Sequence, residues 1–206
     1  MTTDPEDNIV ALDAQAVRES VRVVARSKAA DLSRPTPCAG WTLADLLTHM
    51  ATQHYGFAAA STGDGDLANW QPRPLGDDPV AAYQAAADHV LAAFAADRVL
   101  DRQFPLPEIP RAPAFPARQA ISFHFIDYVV HSWDVAKTLG IEATFDPPLL
   151  DAALAVAQAV PAGQARLVPG AAFSTEVEWL GDSRLDQIVA ILGRSPNWQP
   201  PGLRSL

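Results

Sequence analysis

The apolar positions of this chain recur mainly three and four residues apart, the spacing of amphipathic helices. This periodicity predicts helices over residues 9–29, 42–61, 79–96, 117–139, 147–160 and 183–192. Partial alternation over Phe173–Leu180 predicts one short strand. Regular alternation of strands and helices, typical of a parallel sheet, is missing from the sequence. The pattern therefore predicts a mainly all-α fold, a four-helix bundle with a short C-terminal α/β appendage.

We expect residues 1–160 to form a metal-binding helical bundle, and residues 161–206 to pack on it without forming an independent domain. Thr42 is a predicted N-cap with Asp45 completing a capping box, and Gly140 is a predicted helix stop. The Pro-rich connections over residues 62–78 and 104–116 are long for simple links. We expect at least one of them to border the mouth of the functional site.

Composition narrows the classes of function. The 206 residues include 15 Lys and Arg against 24 Asp and Glu, and the formal net charge is −9. This balance argues against binding to nucleic acid or to an anionic membrane surface. The single cysteine, Cys38, excludes an internal disulfide, the acidic N-terminus is unlike a secretory signal, and no apolar run is long enough for a membrane span. We expect a cytoplasmic protein.

The most informative segment is FHFIDYVVHSWDVAKTLG, residues 123–140. At about 100° per residue, four polar side chains fall within an arc of about 80° on the predicted helix. They are His124, Asp127, His131 and Asp134. Because the rest of this helix is apolar, we expect it to be largely buried, with the polar stripe facing a cavity or neighbouring helices. Burial of these groups is costly unless they pair or bind a metal.

Asp127 and His131 lie one turn apart, a spacing by which one helix offers two metal ligands. A third ligand should come from a facing helix, and His49 is the leading candidate. His54 lies on another face of the same helix, so one small ion could hardly bind both. Spacing alone leaves a second interpretation open, because an Asp–His pair one turn apart is often only a hydrogen bond on a helix surface. His89 is expected to be solvated.

Three ordered motifs resemble one known family. PTPCAGWTLADLLTHM, residues 35–50, resembles the opening signature of the DinB-like, mycothiol-dependent maleylpyruvate isomerase superfamily. DYVVHSWDVAKTLG, residues 127–140, resembles its E-x-x-x-H-G-W-D-L-A-x-x-x-G segment. LGRSPNW, residues 192–198, matches a closing motif of an actinobacterial branch. Together the motifs span most of the chain.

The resemblance implies a four-helix-bundle core that holds a divalent metal, usually zinc. The family's ligands, a His from the second helix and an acid and a His from the fourth, correspond to His49, Asp127 and His131. Asp127 stands where the family usually has Glu. Only residues 140–206 follow the fourth helix, where the founding isomerases carry a larger domain that helps to bind substrate. The resemblance thus implies the chemistry of the family more than maleylpyruvate as the substrate.

We therefore expect an enzyme, a metal- and mycothiol-dependent transferase or isomerase acting on a small electrophile. His124 and Asp134 are expected to orient the ligands or to shuttle protons. One alternative is a metal-assisted hydrolase in which water replaces the thiol. Another is a non-catalytic, metal-containing bundle that binds a small molecule or a protein. An open coordination position favours the enzyme, whereas a fourth protein ligand favours the non-catalytic bundle.

Two further expectations concern Cys38 and assembly. Cys38 precedes a predicted helix start, where backbone N–H groups lower a thiol pKa, so it could be a redox thiol or a fourth ligand. The simpler interpretation is a small residue packed in a Pro-rich loop. Bundles of this kind often form homodimers, and the partner we expect otherwise is a small-molecule substrate.

Overall fold

The computed structural model describes residues 9–109, 114–168 and 172–200. Within these ranges the chain forms six α-helices and two short strands, and the predicted mainly helical fold is confirmed. The elements, in chain order, are α1 (Ile9–Val24), α2 (Leu43–Ser61), α3 (Pro79–Phe94), β1 (Gln103–Phe104), β2 (Phe115–Pro116), α4 (Ala117–Leu139), α5 (Pro147–Ala159) and α6 (Arg184–Ile191).

The first four helices form the predicted bundle. Helix α1 packs against α3 and α4, and α2 packs against the same two helices, so the order around the bundle is α1, α4, α2, α3. Helix α5 packs on the outside of α4, and α6 packs against α5. Because each of the four bundle helices has two neighbours, side chains from all four can meet along the central axis.

The start of α2 is set by its first turn. Thr42 Oγ1 accepts a hydrogen bond from the backbone N–H of Asp45 at 3.3 Å, and Asp45 Oδ2 accepts one from the N–H of Thr42 at 2.9 Å. This is the predicted capping box, which satisfies two of the N–H groups that a helix start leaves unpaired. The same cap holds the preceding Pro-rich loop against the end of the helix that carries His49.

Two helix ends differ in how well the sequence predicts them. Helix α4 ends as expected at Gly140, whose φ of +69° is the left-handed conformation that glycine adopts without a steric cost. Helix α1 ends at Val24, well before the predicted Ala29. Its last carbonyl accepts a hydrogen bond from the hydroxyl of Ser27, which satisfies the group without another helical turn.

The predicted strand over Phe173–Leu180 is wrong. These residues form no regular element; the N–H of Val177 donates instead to the carbonyl of Ala190 next to the end of α6. A strand needs a neighbouring edge and a buried face, but Leu180 is 88% exposed. The two strands of the described chain, β1 and β2, lie elsewhere and pair antiparallel with each other.

The segment after α5 is tied together by a buried arginine. The guanidinium of Arg166 donates to the carbonyl oxygens of Pro161, Ser174 and Ile191, so it joins three parts of this segment. The proposed division of the chain near residue 160 stays a prediction. Among the described helices, none combines the length and the apolar character that a membrane crossing requires.

We expect Thr42→Ala to lower the free energy of unfolding by about 1 kcal/mol, because it removes the N-cap of α2. Urea unfolding followed by circular dichroism measures the effect. Thr48→Ala, in the middle of the same helix, is the matched control and should change stability little. An equal loss in both variants would contradict a capping role.

Candidate metal centre

Helix α4 is buried on almost every side, as its composition predicts, and its polar stripe divides into two groups. His124 and His131 share a face, but they are seven residues apart and so lie about 10 Å apart along the helix axis. Helix α2 runs antiparallel to α4, so His49 meets the turn of Asp127 and His131, whereas His54 meets His124. The structure thus separates the two histidines of α2 into different clusters.

The first cluster, which we call the inner set, consists of His49, Asp127 and His131. Asp127 Oδ2 lies 3.9 Å from Nε2 of His49, and Asp127 Oδ1 lies 3.4 Å from Nε2 of His131. One donor atom from each residue lies within 4.8 Å of the other two. The three candidate ligands chosen from the sequence therefore meet at one point between α2 and α4.

The other ring nitrogen of His131 faces a different group, which we call the outer set: Cys38, His131 and Asp134. Nδ1 of His131 lies 2.9 Å from Oδ2 of Asp134, and the thiol of Cys38 donates to the same oxygen at 3.2 Å. The donor atoms of this set also lie within 4.8 Å of one another. His131 is thus shared by two sets, one at each ring nitrogen.

A cation from the end of the chain completes the outer set. Nη2 of Arg194 lies 3.3 Å from Oδ2 of Asp134 and 3.4 Å from the sulfur of Cys38. Burial raises the pKa of Asp134, but Arg194 and His131 more than offset it and hold that pKa below its usual value. An ionised Asp134 accepts the Nδ1–H of His131, which fixes the ring and leaves Nε2 free to face Asp127.

The inner set is open on one side. The side chain of His131 is 5% exposed, but those of Asp127 and His49 are 23% and 31% exposed. The ring of Trp41 packs on that of His49 with 5.0 Å between centroids, which holds the histidine from the side of the Pro-rich loop. Trp41 therefore fastens this loop to the bundle next to the site, and small molecules can approach from the exposed side.

The two histidines of the inner set differ in protonation. Burial, reinforced by the charge of His131, lowers the pKa of His49 to about 4. Burial also disfavours the charged form of His131, but Asp127, Asp134 and Cys38 outweigh it and raise the pKa of His131 to about 10. Without a metal, His131 thus carries the proton that balances the neighbouring carboxylates, and a bound cation would replace it.

The inner set fits a divalent metal. Two imidazoles and one carboxylate are a common donor set for catalytic zinc. In a tetrahedral site with bonds of about 2.0–2.1 Å, neighbouring donor atoms are about 3.3 Å apart, so the separations of 3.4 and 3.9 Å from Asp127 to the two imidazoles need only a small contraction. In the described part of the chain, no fourth Cys, His, Asp or Glu joins this set, which leaves one coordination position open.

His124 belongs to a separate buried cluster. Its Nδ1 lies 2.6 Å from Oδ1 of Asp13 on α1, and its Nε2 lies 3.2 Å from Nδ1 of His54. Tyr128 packs on both imidazole rings and donates its hydroxyl hydrogen to the carbonyl of Met50. The hydrogen bonds of His124 thus lead away from the inner set, whereas Asp134 contacts His131, and a ligand-orienting role for either residue stays a prediction.

Burial governs the protonation of this second cluster. It raises the pKa of Asp13, although the charge and hydrogen bond of His124 act against it. It lowers the pKa of His54 well below the usual value, with a further contribution from the charge of His124. Asp13 could not be identified from the sequence, because its position on α1 shows no link to α4 until the helices are packed.

The long connections lie against α2. Glu108 accepts a hydrogen bond of 2.9 Å from Gln53, one turn beyond His49. Trp70, in the connection over residues 62–78, packs against Phe57. A Cβ at Gly56 would lie 2.5 Å from the indole of Trp70, so only a glycine at this position lets the connection pack this closely on α2. A role for either connection at the mouth of the site stays a prediction, and residues 110–113 lie outside the described ranges.

His89 lies on the exposed face of α3, as expected. Arg194, which contacts Asp134 and Cys38, was not among the residues singled out from the sequence. Its only signal was its place in LGRSPNW, a motif that carried no assigned role.

The comparisons with known proteins agree with this architecture. A family model described as the mycothiol maleylpyruvate isomerase N-terminal domain matches residues 14–136. Two uncharacterized proteins of Mycobacterium tuberculosis, from strains CDC 1551 / Oshkosh and ATCC 25618 / H37Rv, are each 31% identical over 179 residues. These alignments cover 84% of this chain and 90% of each relative.

Solved structures show the same fold. A crystal structure of the mycothiol-dependent maleylpyruvate isomerase superimposes with a TM-score of 0.54 and 16% identity, over 74% of this chain and 70% of that one. A point mutant of that isomerase gives a TM-score of 0.50 and 15% identity over the same shares. The matched region of the family model includes the whole inner set, and the chain belongs to the DinB-like family of the mycothiol maleylpyruvate isomerase N-terminal domain.

Proposed function

We propose that this protein is a thiol-dependent enzyme, a transferase or isomerase for a small electrophile, with a divalent metal held by the inner set. The observation that carries the proposal is the meeting of His49, Asp127 and His131 on the partly exposed side of a buried helix. Family membership supports the choice of thiol, because the related isomerase is named for its dependence on mycothiol. Zinc is the metal that this donor set favours.

Each residue has a distinct task. A divalent cation held here would lower the pKa of a thiol bound to it, so that thiolate would be present at neutral pH. Nε2 of His49 and His131 and the carboxylate of Asp127 would hold that cation. Asp134 keeps His131 in the tautomer with its proton on Nδ1, and Trp41 restricts the ring of His49.

The thiol is proposed to come from outside the chain. Cys38 is the only cysteine, and its hydrogen bond goes to Asp134 on the buried side of His131. The exposed edges of His49 and Asp127 lie on the other side of that ring. An incoming thiol and an electrophile would therefore approach from the exposed side of His49 and Asp127, away from Cys38.

The open position favours an enzyme over a purely structural metal bundle. Structural zinc sites use four protein ligands, whereas the inner set supplies three among the described residues. We further propose a cytoplasmic location, because a single free cysteine suits a reducing compartment. A homodimer stays a prediction.

We expect the purified protein to hold about one divalent ion per chain, as a single three-ligand site requires. Elemental analysis after dialysis should show that His131→Ala and His49→Ala lose this ion. Asp127→Glu should retain it or bind it more tightly, because the longer side chain is the usual ligand of the family. His89→Ala, an exposed histidine of α3, is the control. Full metal content in both His49→Ala and His131→Ala would overturn the ligand assignment.

We expect the second histidine cluster to serve the fold and not the metal. His124→Ala breaks a buried pair with Asp13 and should lower the free energy of unfolding by about 3–5 kcal/mol. At urea concentrations below its unfolding midpoint, the His124→Ala variant should keep its metal, whereas the His131→Ala variant should lose it. Urea unfolding and elemental analysis of the same samples separate the two effects. Loss of metal from folded His124→Ala would place this histidine in the metal site after all.

We expect mycothiol to accelerate the consumption of a small electrophile, such as a maleyl compound, only when the protein is metal-loaded. Removal of the metal by a chelator should abolish the acceleration, and zinc should restore it. Cys38→Ser should retain most of the rate, since the hydroxyl keeps the hydrogen bond to Asp134. If Cys38→Ser removes the activity while metal content is unchanged, the nucleophile is internal. If water alone supports turnover, the protein is a hydrolase.

A further inference from the structure

His131 faces a candidate metal set at each of its ring nitrogens, and the two sets differ in chemistry. The inner set offers imidazole nitrogen and carboxylate oxygen, whereas the outer set adds the sulfur of Cys38. Thiolate sulfur binds zinc, cobalt and cadmium strongly. By donor chemistry alone, the outer set competes with the inner set for the same ion, and it shares a ligand with it.

Asp134 has further capacity to bind a cation. It is fully buried, and its Oδ1 has no hydrogen-bond partner among the described residues. Its Oδ2 accepts from His131, Cys38 and Arg194 together. A buried carboxylate with one unused oxygen, next to a thiol and an imidazole, is a cation-binding group by its chemistry.

Arg194 lies where a metal ion in the outer set would have to bind. Its Nη2 contacts both Oδ2 of Asp134 and the sulfur of Cys38, at 3.3 and 3.4 Å. A guanidinium stays protonated at every physiological pH, so it cannot make way for a metal ion by giving up its proton and its charge. Burial disfavours its charged form, but Asp134 and Cys38 more than offset this and raise the pKa of Arg194.

The local backbone conformation positions the side chain of Arg194. Gly193 adopts a φ of +82°, and a Cβ at this position would lie 2.6 Å from the carbonyl oxygen of Ser174. The N–H of Arg194 donates to the carbonyl of Val189, and Nζ of Lys137 on α4 donates to the carbonyl of Pro196 at 2.9 Å. The motif LGRSPNW therefore anchors a tight turn to α4 and directs its arginine into the outer set.

We propose that Arg194 is a specificity-determining residue: it occupies the outer set as a resident cation and thereby restricts the metal to the inner set. The proposal rests on the metal site of the proposed function. Two positive charges a few ångströms apart in a buried site repel each other strongly, so the guanidinium and a divalent ion exclude each other from Cys38 and Asp134.

Removal of the guanidinium charge should open the outer set. A divalent ion would then bind the carboxylate of Asp134, the imidazole of His131 and the sulfur of Cys38. The metal forms bonds to the sulfur of Cys38, to Nδ1 of His131 and to Asp134, the S–H and Nδ1–H bonds break, and both protons leave to buffer. No electron is transferred, so the step needs no further reactant.

Cobalt(II) tests the proposal, because a cobalt–thiolate bond gives a charge-transfer absorption in the near ultraviolet that nitrogen and oxygen ligands do not give. The full-length protein is titrated with Co²⁺ alone. Wild type should bind the ion without this absorption, and Arg194→Met should acquire it. Arg194→Gln provides a second neutral variant that keeps a hydrogen-bond donor for Asp134, in case Arg194→Met does not fold.

Three controls make the result specific. Arg194→Lys keeps the charge and should show no thiolate absorption. Arg194→Met combined with Cys38→Ser should lose it, which assigns the band to Cys38. Arg166→Met removes another buried arginine of the same C-terminal segment, one that donates to backbone carbonyls and not to Cys38, His131 or Asp134, and it should resemble wild type.

A thiolate band in wild type would overturn the proposal, because Arg194 would then not exclude the metal. The proposal is also overturned if at least one neutral variant folds and binds Co²⁺ but no such variant shows the thiolate band. An equal band in Arg166→Met would assign the effect to loosening of the segment and also overturn it. If wild type takes up no Co²⁺ at all, the proposed function fails separately, while the neutral variants still decide whether Arg194 blocks the outer set.

Discussion

The burial of helix α4 is the constraint from which the rest of the structure follows. This helix lies among α1, α2 and α5, and its buried histidines and Asp134 need polar partners because water is excluded. Asp13 reaches His124 from α1, and His54 and His49 approach from α2. Arg194 reaches Asp134 from the end of the chain. The bundle is thereby specified by polar pairs as well as by apolar packing.

Local signals in the sequence predict the bundle well, because helix periodicity and caps depend on residues near one another. The capping box at Thr42 and the glycine stop at Gly140 form as their residue types require. The strand over 173–180 fails for the opposite reason. Alternation of apolar and polar residues is not sufficient for a strand. A strand also needs the edge of another strand to pair with, and whether such an edge is available depends on the whole fold.

The three candidate ligands of the inner set were accessible from the sequence because two lie one turn apart and the third lies on a neighbouring helix. His124 shows the limit of that reasoning. Projection down the helix axis placed it beside His131, but projection discards the rise of 1.5 Å per residue, and seven residues carry it into another layer. Arg194 could not be found in this way, since it is 60 residues from Asp134 along the chain.

Negative charge is balanced in a different way at each of the two ring nitrogens of His131. On the Nε2 side, the side chains of His49 and Asp127 are partly exposed, and an exchangeable ion can replace the proton of His131 in balancing the charge of Asp127. On the Nδ1 side, an arginine balances Asp134 permanently, and the pair is closed to solvent. Because the permanent charge comes from beyond the region that the family model matches, the core site and its electrostatic partner belong to different parts of the chain. The C-terminal segment thus does more than cover the bundle. It completes the charge balance around the histidine that links both sets, so the docking of this segment and the electrostatics of the two candidate sets depend on the same contact between Arg194 and Asp134.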